Sequence, residues 1–225
     1  MGAWVLYRIA RLLLIPLVRL FFRPVIEGRS NVPAEGPVIL ASNHLSFFDS
    51  VIIPLMAPRR VVFLTKAEYF HGRGLKGRVV RWFFITIGSV PVQRGANRAA
   101  QASLDAALEV LGAGDAFGIY PEGTRSVDGR LYRGRVGVGW LALTARAPVV
   151  PVALKGTERI QPVGKKLLRI SRVTIRFGTP LHFGPDYGEA TSASDRRRAT
   201  DEIVQAIGAL SGQEYASGYN DPSRV

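Results

Sequence analysis

The chain of 225 residues contains no cysteine. That excludes a disulfide framework, a thiolate metal site, an iron–sulfur cluster and a cysteine nucleophile. Histidine is scarce: only His44, His71 and His182 occur, and none pairs with another at metal-ligand spacing, so no metal site is expected. No serine lies inside a G-x-S-x-G elbow, which removes the usual hydrolase nucleophile. Long apolar runs are missing as well. The longest stretch free of Asp, Glu, Lys and Arg is 36–48, whereas a membrane-spanning helix needs about 20 predominantly apolar residues. Acidic residues are few, 17 against 30 Lys and Arg, for a net charge of +13. Such a balance implies an anionic partner: nucleic acid, an acidic membrane surface or a phosphorylated substrate.

What is present is enough for a core. Hydrophobic residues make up 47% of the chain, with 11 Phe, 7 Tyr and 3 Trp, and neither a repeat nor a low-complexity tract interrupts them. Short apolar runs alternate with helical patterns. Val38–Ser42, Val61–Thr65, Ser89–Val92, Ala116–Tyr120, Val149–Leu154 and Val173–Phe177 read as strands. Asp49–Met56, a basic segment near Leu75–Phe84, Asn97–Leu111 and Val136–Arg146 read as helices. Leu104, Ala107, Leu108 and Leu111 follow the i, i+3, i+4, i+7 template, and Gly112-Ala-Gly114 stops that helix. Strands separated by helices predict a single α/β domain with a mainly parallel central sheet flanked by helices. The core of this domain is expected over 29–182.

Both ends differ from this core. Residues 1–26 carry Arg8, Arg11, Arg19 and Arg23 and no acid. On a helix the four fall within an arc of about 120°, interrupted by Trp4, Leu12, Ile15 and Phe22. Trp4, Tyr7, Phe21 and Phe22 suit the headgroup boundary, and Pro16 favours a kink. Residues 1–28 are therefore read as an amphipathic segment that lies on a membrane without spanning it; the alternative is a helix packed on its own domain. No A-x-A-like cleavage site follows a clean apolar stretch, and Leu6 stands where myristoylation needs Ser or Thr. At the other end, 183–211 reads as a helical extension with Ile203, Ile207 and Leu210 on one stripe. Residues 212–225 are polar and read as a flexible tail.

Three strands end in polar clusters, and in an open α/β sheet the functional crevice lies outside the carboxyl ends of the strands. After the first comes Asn43-His44-Leu-Ser-Phe-Phe-Asp49. With His44 in the turn and Asp49 in the first helical turn, the carboxylate can reach the imidazole. It would fix one ring nitrogen and leave the other as a base; the alternative is a buried structural histidine with a capping aspartate. The second cluster is Gln93-Arg94-Gly95, and the third is Pro121-Glu122-Gly123-Thr124-Arg125-Ser126. A tight turn of that composition exposes backbone N–H groups that, with Arg125 and the forked guanidinium of Arg94, can hold a phosphate. Alternatively, Glu122 and Arg125 form an internal ion pair that braces the loop. Residues 59–98 hold nine basic residues and one acid around Trp82, Phe83 and Phe84. That composition suits a membrane-facing or carrier-facing surface, and no helix-turn-helix, RNP-like or zinc-finger pattern supports nucleic acid binding.

These blocks resemble those of the lysophosphatidic acid acyltransferase family of glycerolipid acyltransferases. Asn43-His44-x-x-x-x-Asp49 matches its first block in full, and Gly88–Gly95 resembles the second. Tyr120–Ser126 matches the third, and Val149-Val-Pro151-Val-Ala resembles the fourth. The likeness covers roughly 30–180; Arg133-Gly134 stands where the family often has Lys-Gly. The resemblance implies transfer of a fatty acyl group from acyl-CoA or acyl carrier protein to the free hydroxyl of 1-acyl-glycerol 3-phosphate, giving phosphatidic acid. Glycerol 3-phosphate or another lysophospholipid is the alternative acceptor; a non-catalytic basic membrane-surface protein is the alternative of a different class. By the same resemblance His44 is the general base, Asp49 orients it, and Arg94, Glu122, Gly123, Thr124 and Arg125 hold the acceptor phosphate. No cofactor is implied beyond the donor substrate. A peripheral or monotopic place on the cytoplasmic face of a membrane is expected.

Overall fold

The computed structural model describes residues 2–66, 72, 74, 77–78, 88–92, 96–162, 167–187, 190–221 and 223. Seven strands build one sheet: β1 (Val25–Glu27), β2 (Val38–Ser42), β3 (Val61–Lys66), β4 (Ser89–Val92), β5 (Ala116–Ile119), β6 (Val149–Lys155) and β7 (Thr174–Phe177). Their spatial order is β1-β7-β6-β2-β5-β3-β4. The strands from β6 to β4 in that order are parallel to their neighbours, while β7 runs antiparallel to β6 and carries β1 beside it. The helices are α1 (Gly2–Phe22), α2 (Asp49–Met56), α3 (Ala96–Gly112), α4 (Gly137–Ala145), the short α5 (Thr157–Ile160) and α6 (Ala193–Ser211). The expected α/β domain is therefore present, with element bounds within a residue or two of the sequence pattern. The basic helix expected near 75–84 falls largely outside the described residues.

All five residues of β2 are buried, because helices cover both faces of the sheet. Alternation along the strand divides its side chains between two cores. Val38 and Leu40 join Ile52, Ile53 and Leu55 of α2 and Val18 of α1. Ile39 and Ala41 face the other way, onto Leu141 of α4 and Ile203 and Ile207 of α6. Gly118 on β5 has a packing reason: a Cβ there would lie 2.1 Å from the ring of Phe63 on β3.

The two ends of the chain depart from the sequence reading. Val25–Glu27, placed by the sequence with the N-terminal segment, pairs with β7 as the edge strand. Helix α1 packs on the domain through Val18, with Leu14, Ile15 and Phe22 against the same core. Its Arg11 donates to the carbonyls of Ala57 (2.9 Å) and Pro54 (3.2 Å), capping the end of α2. Yet Leu12, Leu13, Leu17, Leu20 and Phe21 remain exposed, so the helix has one packed apolar face and one open one. The tail is corrected more fully. Residues 212–221 are docked, not free: Leu131 donates to Glu214 O and accepts from Ala216 N, both at 2.9 Å, and Arg133 N donates to Gly218 O at 3.0 Å. Local composition predicted fraying because it carries no sign of these long-range backbone bonds.

Candidate active site

Neighbouring strands β2 and β5 send their chains to opposite faces of the sheet, β2 into α2 and β5 towards α4. Their carboxyl ends therefore mark a topological switch point, the place where sites form in open α/β sheets. The segment 43–49 leaves β2 and the segment 120–126 leaves β5, so two of the three polar clusters meet there. The third, with Arg94, lies outside the described residues.

Asn43 fixes where the first segment departs. It is fully buried, donates to Leu154 O (3.0 Å) and to Gln213 Oε1 (2.7 Å), and accepts from Leu154 N (2.8 Å). One residue on, His44 Nδ1 lies 2.9 Å from Asp49 Oδ2. The same carboxylate oxygen accepts the backbone N–H groups of Leu45 (2.6 Å) and Ser46 (2.8 Å). Asp49 opens α2, where the helix dipole favours negative charge, and it is completely buried. With three donors on one oxygen and its own helix behind it, the carboxylate is held rigidly. An ionised carboxylate only accepts, so in a neutral imidazole the hydrogen lies on Nδ1, towards Asp49, which leaves Nε2 as the acceptor. The imidazole stacks on Tyr120, ring centroids 3.8 Å apart and planes 7° from parallel. The Tyr120 hydroxyl meets Ser50 Oγ at 2.9 Å. Burial, reinforced by the charge of Asp49, pushes its pKa well above the ordinary phenol value, so Tyr120 is a neutral wall beside the imidazole.

The Glu122 carboxylate turns inward. It is 1% exposed and accepts His44 N–H at 3.1 Å through Oε1 and Tyr132 N–H at 3.0 Å through Oε2. Burial pushes its pKa up to about 7, although those two backbone bonds oppose the shift. Ser126 N closes the loop by donating to His44 O at 2.7 Å. Glu122 and Ser126 thus clamp both sides of the His44 peptide. The expectation that Glu122 touches a substrate phosphate is corrected: its oxygens are occupied by the protein's own backbone. The ion-pair alternative is not realised either, since among the described residues no Glu122–Arg125 salt bridge forms.

Gly123, Thr124 and Arg125 form the outer turn. Gly123 sits at φ 78° with its N–H bonded to Tyr120 O at 3.0 Å. A side chain there would be strained, and its Cβ would fall 2.8 Å from Arg135 Nε. Thr124 and Arg125 are partly exposed, and buried Asn220 donates to their carbonyls at 3.4 and 3.0 Å. Arg135, Gln213 and Asn220 carry no mark in the sequence, the two amides lying in the polar tail, where no local pattern distinguishes them. Tyr120 heads the third block and ends an apolar run, and neither signal predicts its stacking on His44. Among the described residues no group of three or more His, Asp or Glu is arranged to hold a metal ion.

With this geometry in view, comparison with known proteins is informative. Residues 23–155 match the family model described as Acyltransferase. The chain is 32% identical over 164 residues to the chloroplastic 1-acyl-sn-glycerol-3-phosphate acyltransferase LPAT1 of Arabidopsis thaliana, covering 72% of this chain and 44% of that protein. It is 27% identical over 184 residues to the 1-acyl-sn-glycerol-3-phosphate acyltransferase of Bacillus subtilis, covering 81% of this chain and 85% of the relative. The crystal structure of the 1-acyl-sn-glycerophosphate acyltransferase PlsC from Thermotoga maritima superposes with a TM-score of 0.62 at 25% identity, covering 88% of this chain and 80% of that one. The chain spans less than half the length of the chloroplast relatives it matches.

Proposed function

The chain belongs to the Acyltransferase family, and from that premise we propose that it acylates the free hydroxyl of 1-acyl-glycerol 3-phosphate to give phosphatidic acid. The names of its relatives supply the acceptor class; the observation that carries the mechanism is the His44–Asp49 contact at 2.9 Å. His44 Nε2 takes the proton of the acceptor hydroxyl while that oxygen attacks the thioester carbonyl of acyl-CoA or acyl carrier protein. The imidazolium, stabilised by Asp49, returns the proton as the donor thiolate leaves, so no acyl-enzyme forms. A positioned base of this kind contributes about two to four orders of magnitude in rate. Thr124 and Arg125, with their own backbone N–H groups, hold the acceptor phosphate, with Arg94 as a further cation; Gly123 shapes the turn that presents them, its N–H being bonded to Tyr120 O. Glu122 acts indirectly, by fixing the His44 peptide. The proposed step uses no resident cofactor.

No helix among the described residues is long and apolar enough to cross a membrane. The open apolar face of α1 and the net charge of +13 support peripheral binding to an anionic membrane, on the cytoplasmic face. The test is acyl transfer by the purified chain, with lysophosphatidic acid and glycerol 3-phosphate compared as acceptors. Product from lysophosphatidic acid, lost in His44→Ala with the fold retained, is the expected result. Unchanged turnover in His44→Ala would remove the base from the mechanism. Product from glycerol 3-phosphate alone would reassign the acceptor.

A further inference from the structure

The connection from β6 to β7 carries apolar residues that the core does not use. Leu167, Leu168 and Ile170 are 83%, 56% and 73% exposed, three large aliphatic side chains in four positions. Isolated exposed leucines are ordinary, whereas a contiguous apolar patch rimmed by charge marks an interaction surface. Here the charge has one sign: residues 159–185 contain six basic side chains and no acid. Arg169 and Arg172, both exposed, lie among the aliphatic residues.

The backbone ties this segment to both the open face of α1 and the candidate site. Val173 N donates to Phe22 O at 3.3 Å, and Val25 N donates to Val173 O at 2.9 Å. The loop therefore emerges beside the end of α1, where Leu20 and Phe21 are exposed. Arg169 N bonds Ile160 O at 2.8 Å, and Gln161 O accepts Ser46 Oγ at 3.0 Å, two residues from His44. Opposite, Phe22 packs on Phe48, ring centroids 4.8 Å apart. The His44–Asp49 segment thus lies between two elements that both present aliphatic side chains and arginines outward.

We propose that Leu167, Leu168 and Ile170 insert into an anionic bilayer together with the end of α1, forming a lipid-facing rim from which a membrane-embedded acceptor enters the site. Aliphatic side chains supply burial in the acyl boundary, and the arginines meet anionic headgroups. The delivery part rests on the acyltransferase reading; the bilayer contact does not. All three side chains are exposed, so replacing them spares the core.

The test compares the parent chain with a Leu167→Ser, Leu168→Ser, Ile170→Ser variant on vesicles of phosphatidylcholine and phosphatidylglycerol. Vesicle binding should weaken roughly tenfold or more. The ratio of turnover on vesicle-embedded lysophosphatidic acid to that on a short-chain monomeric analogue should fall by about the same factor. Because the chain has no cysteine, Leu168→Cys accepts a single environment-sensitive dye whose emission should shift to the blue on these vesicles. Unchanged binding or an unshifted emission would overturn the rim. Equal loss of turnover on both acceptors would overturn delivery. If the parent turns over neither acceptor, the acyltransferase reading fails, while the binding and emission results still decide the bilayer contact.

Discussion

Asp49 Oδ2 takes Nδ1 of His44 and two backbone N–H groups, so one atom both shapes the turn and orients the imidazole. Asp49→Asn can preserve most of that geometry while removing the charge that, in the proposed mechanism, stabilises the imidazolium. The expected outcome is a loss of about two to four orders of magnitude in kcat with a folded protein, checked by steady-state kinetics alongside circular dichroism. Glu122 offers a separate test through pH. Its folded pKa is raised from 4.5 to about 7, so the folded chain binds that proton more tightly than the unfolded one. The resulting stability is full below about 4.5 and is lost as pH rises through about 7. Glu122→Gln should therefore flatten the stability profile across that window, removing a fall of up to about 3 kcal/mol. Urea titrations of both chains from pH 4.5 to 7.5 measure it, and parallel profiles would contradict the inward-facing carboxyl.

Helix α1 realises the packed alternative its sequence allowed, through Val18, Leu14, Ile15 and Phe22, and keeps a second apolar face open. Removing residues 1–26 would take away Val18, the Arg11 cap and most of β1 together. The expected outcome is a loss of several kcal/mol, visible as a collapse of Tm before any lipid is added. Leu13→Ser with Leu17→Ser instead should leave Tm nearly unchanged and weaken sedimentation with anionic vesicles. The tail is the second two-ended element. Gln213 accepts from Asn43 and donates to Gly129 O at 2.7 Å, while Asn220 holds the carbonyls of Thr124 and Arg125. Asn220→Ala should raise KM for the phosphorylated acceptor more than it lowers kcat. It should also lower Tm by about 2–4 °C for each kcal/mol of hydrogen bonding lost, as read by calorimetry and kinetics.

Over the molecule as a whole, the net charge of +13 predicts that association with anionic vesicles depends on ionic strength. Binding should weaken as salt shortens the screening length from about 30 Å at 0.01 M to about 8 Å at 0.15 M, leaving the aliphatic contribution behind. Sedimentation at several salt concentrations separates the two.

Much of this architecture was legible locally. The recurrence of Leu104, Ala107, Leu108 and Leu111 marked α3, since those side chains share one helix face, and a short unbroken apolar run marked β2 as a buried strand. The His44-to-Asp49 spacing implied its contact, since a strand-to-helix turn brings those positions together. Other features required the folded chain. Glu122 reads from sequence as a ligand for phosphate, yet it faces the backbone of His44, 78 residues away. Asn43 meets Gln213 across 170 residues, and Val25–Glu27 becomes a strand only because β7 leaves an edge beside it. Periodicity and capping are properties of neighbours in the chain. Strand order, the inward turn of a carboxylate and the docking of a polar tail depend on which distant backbone groups are left to pair.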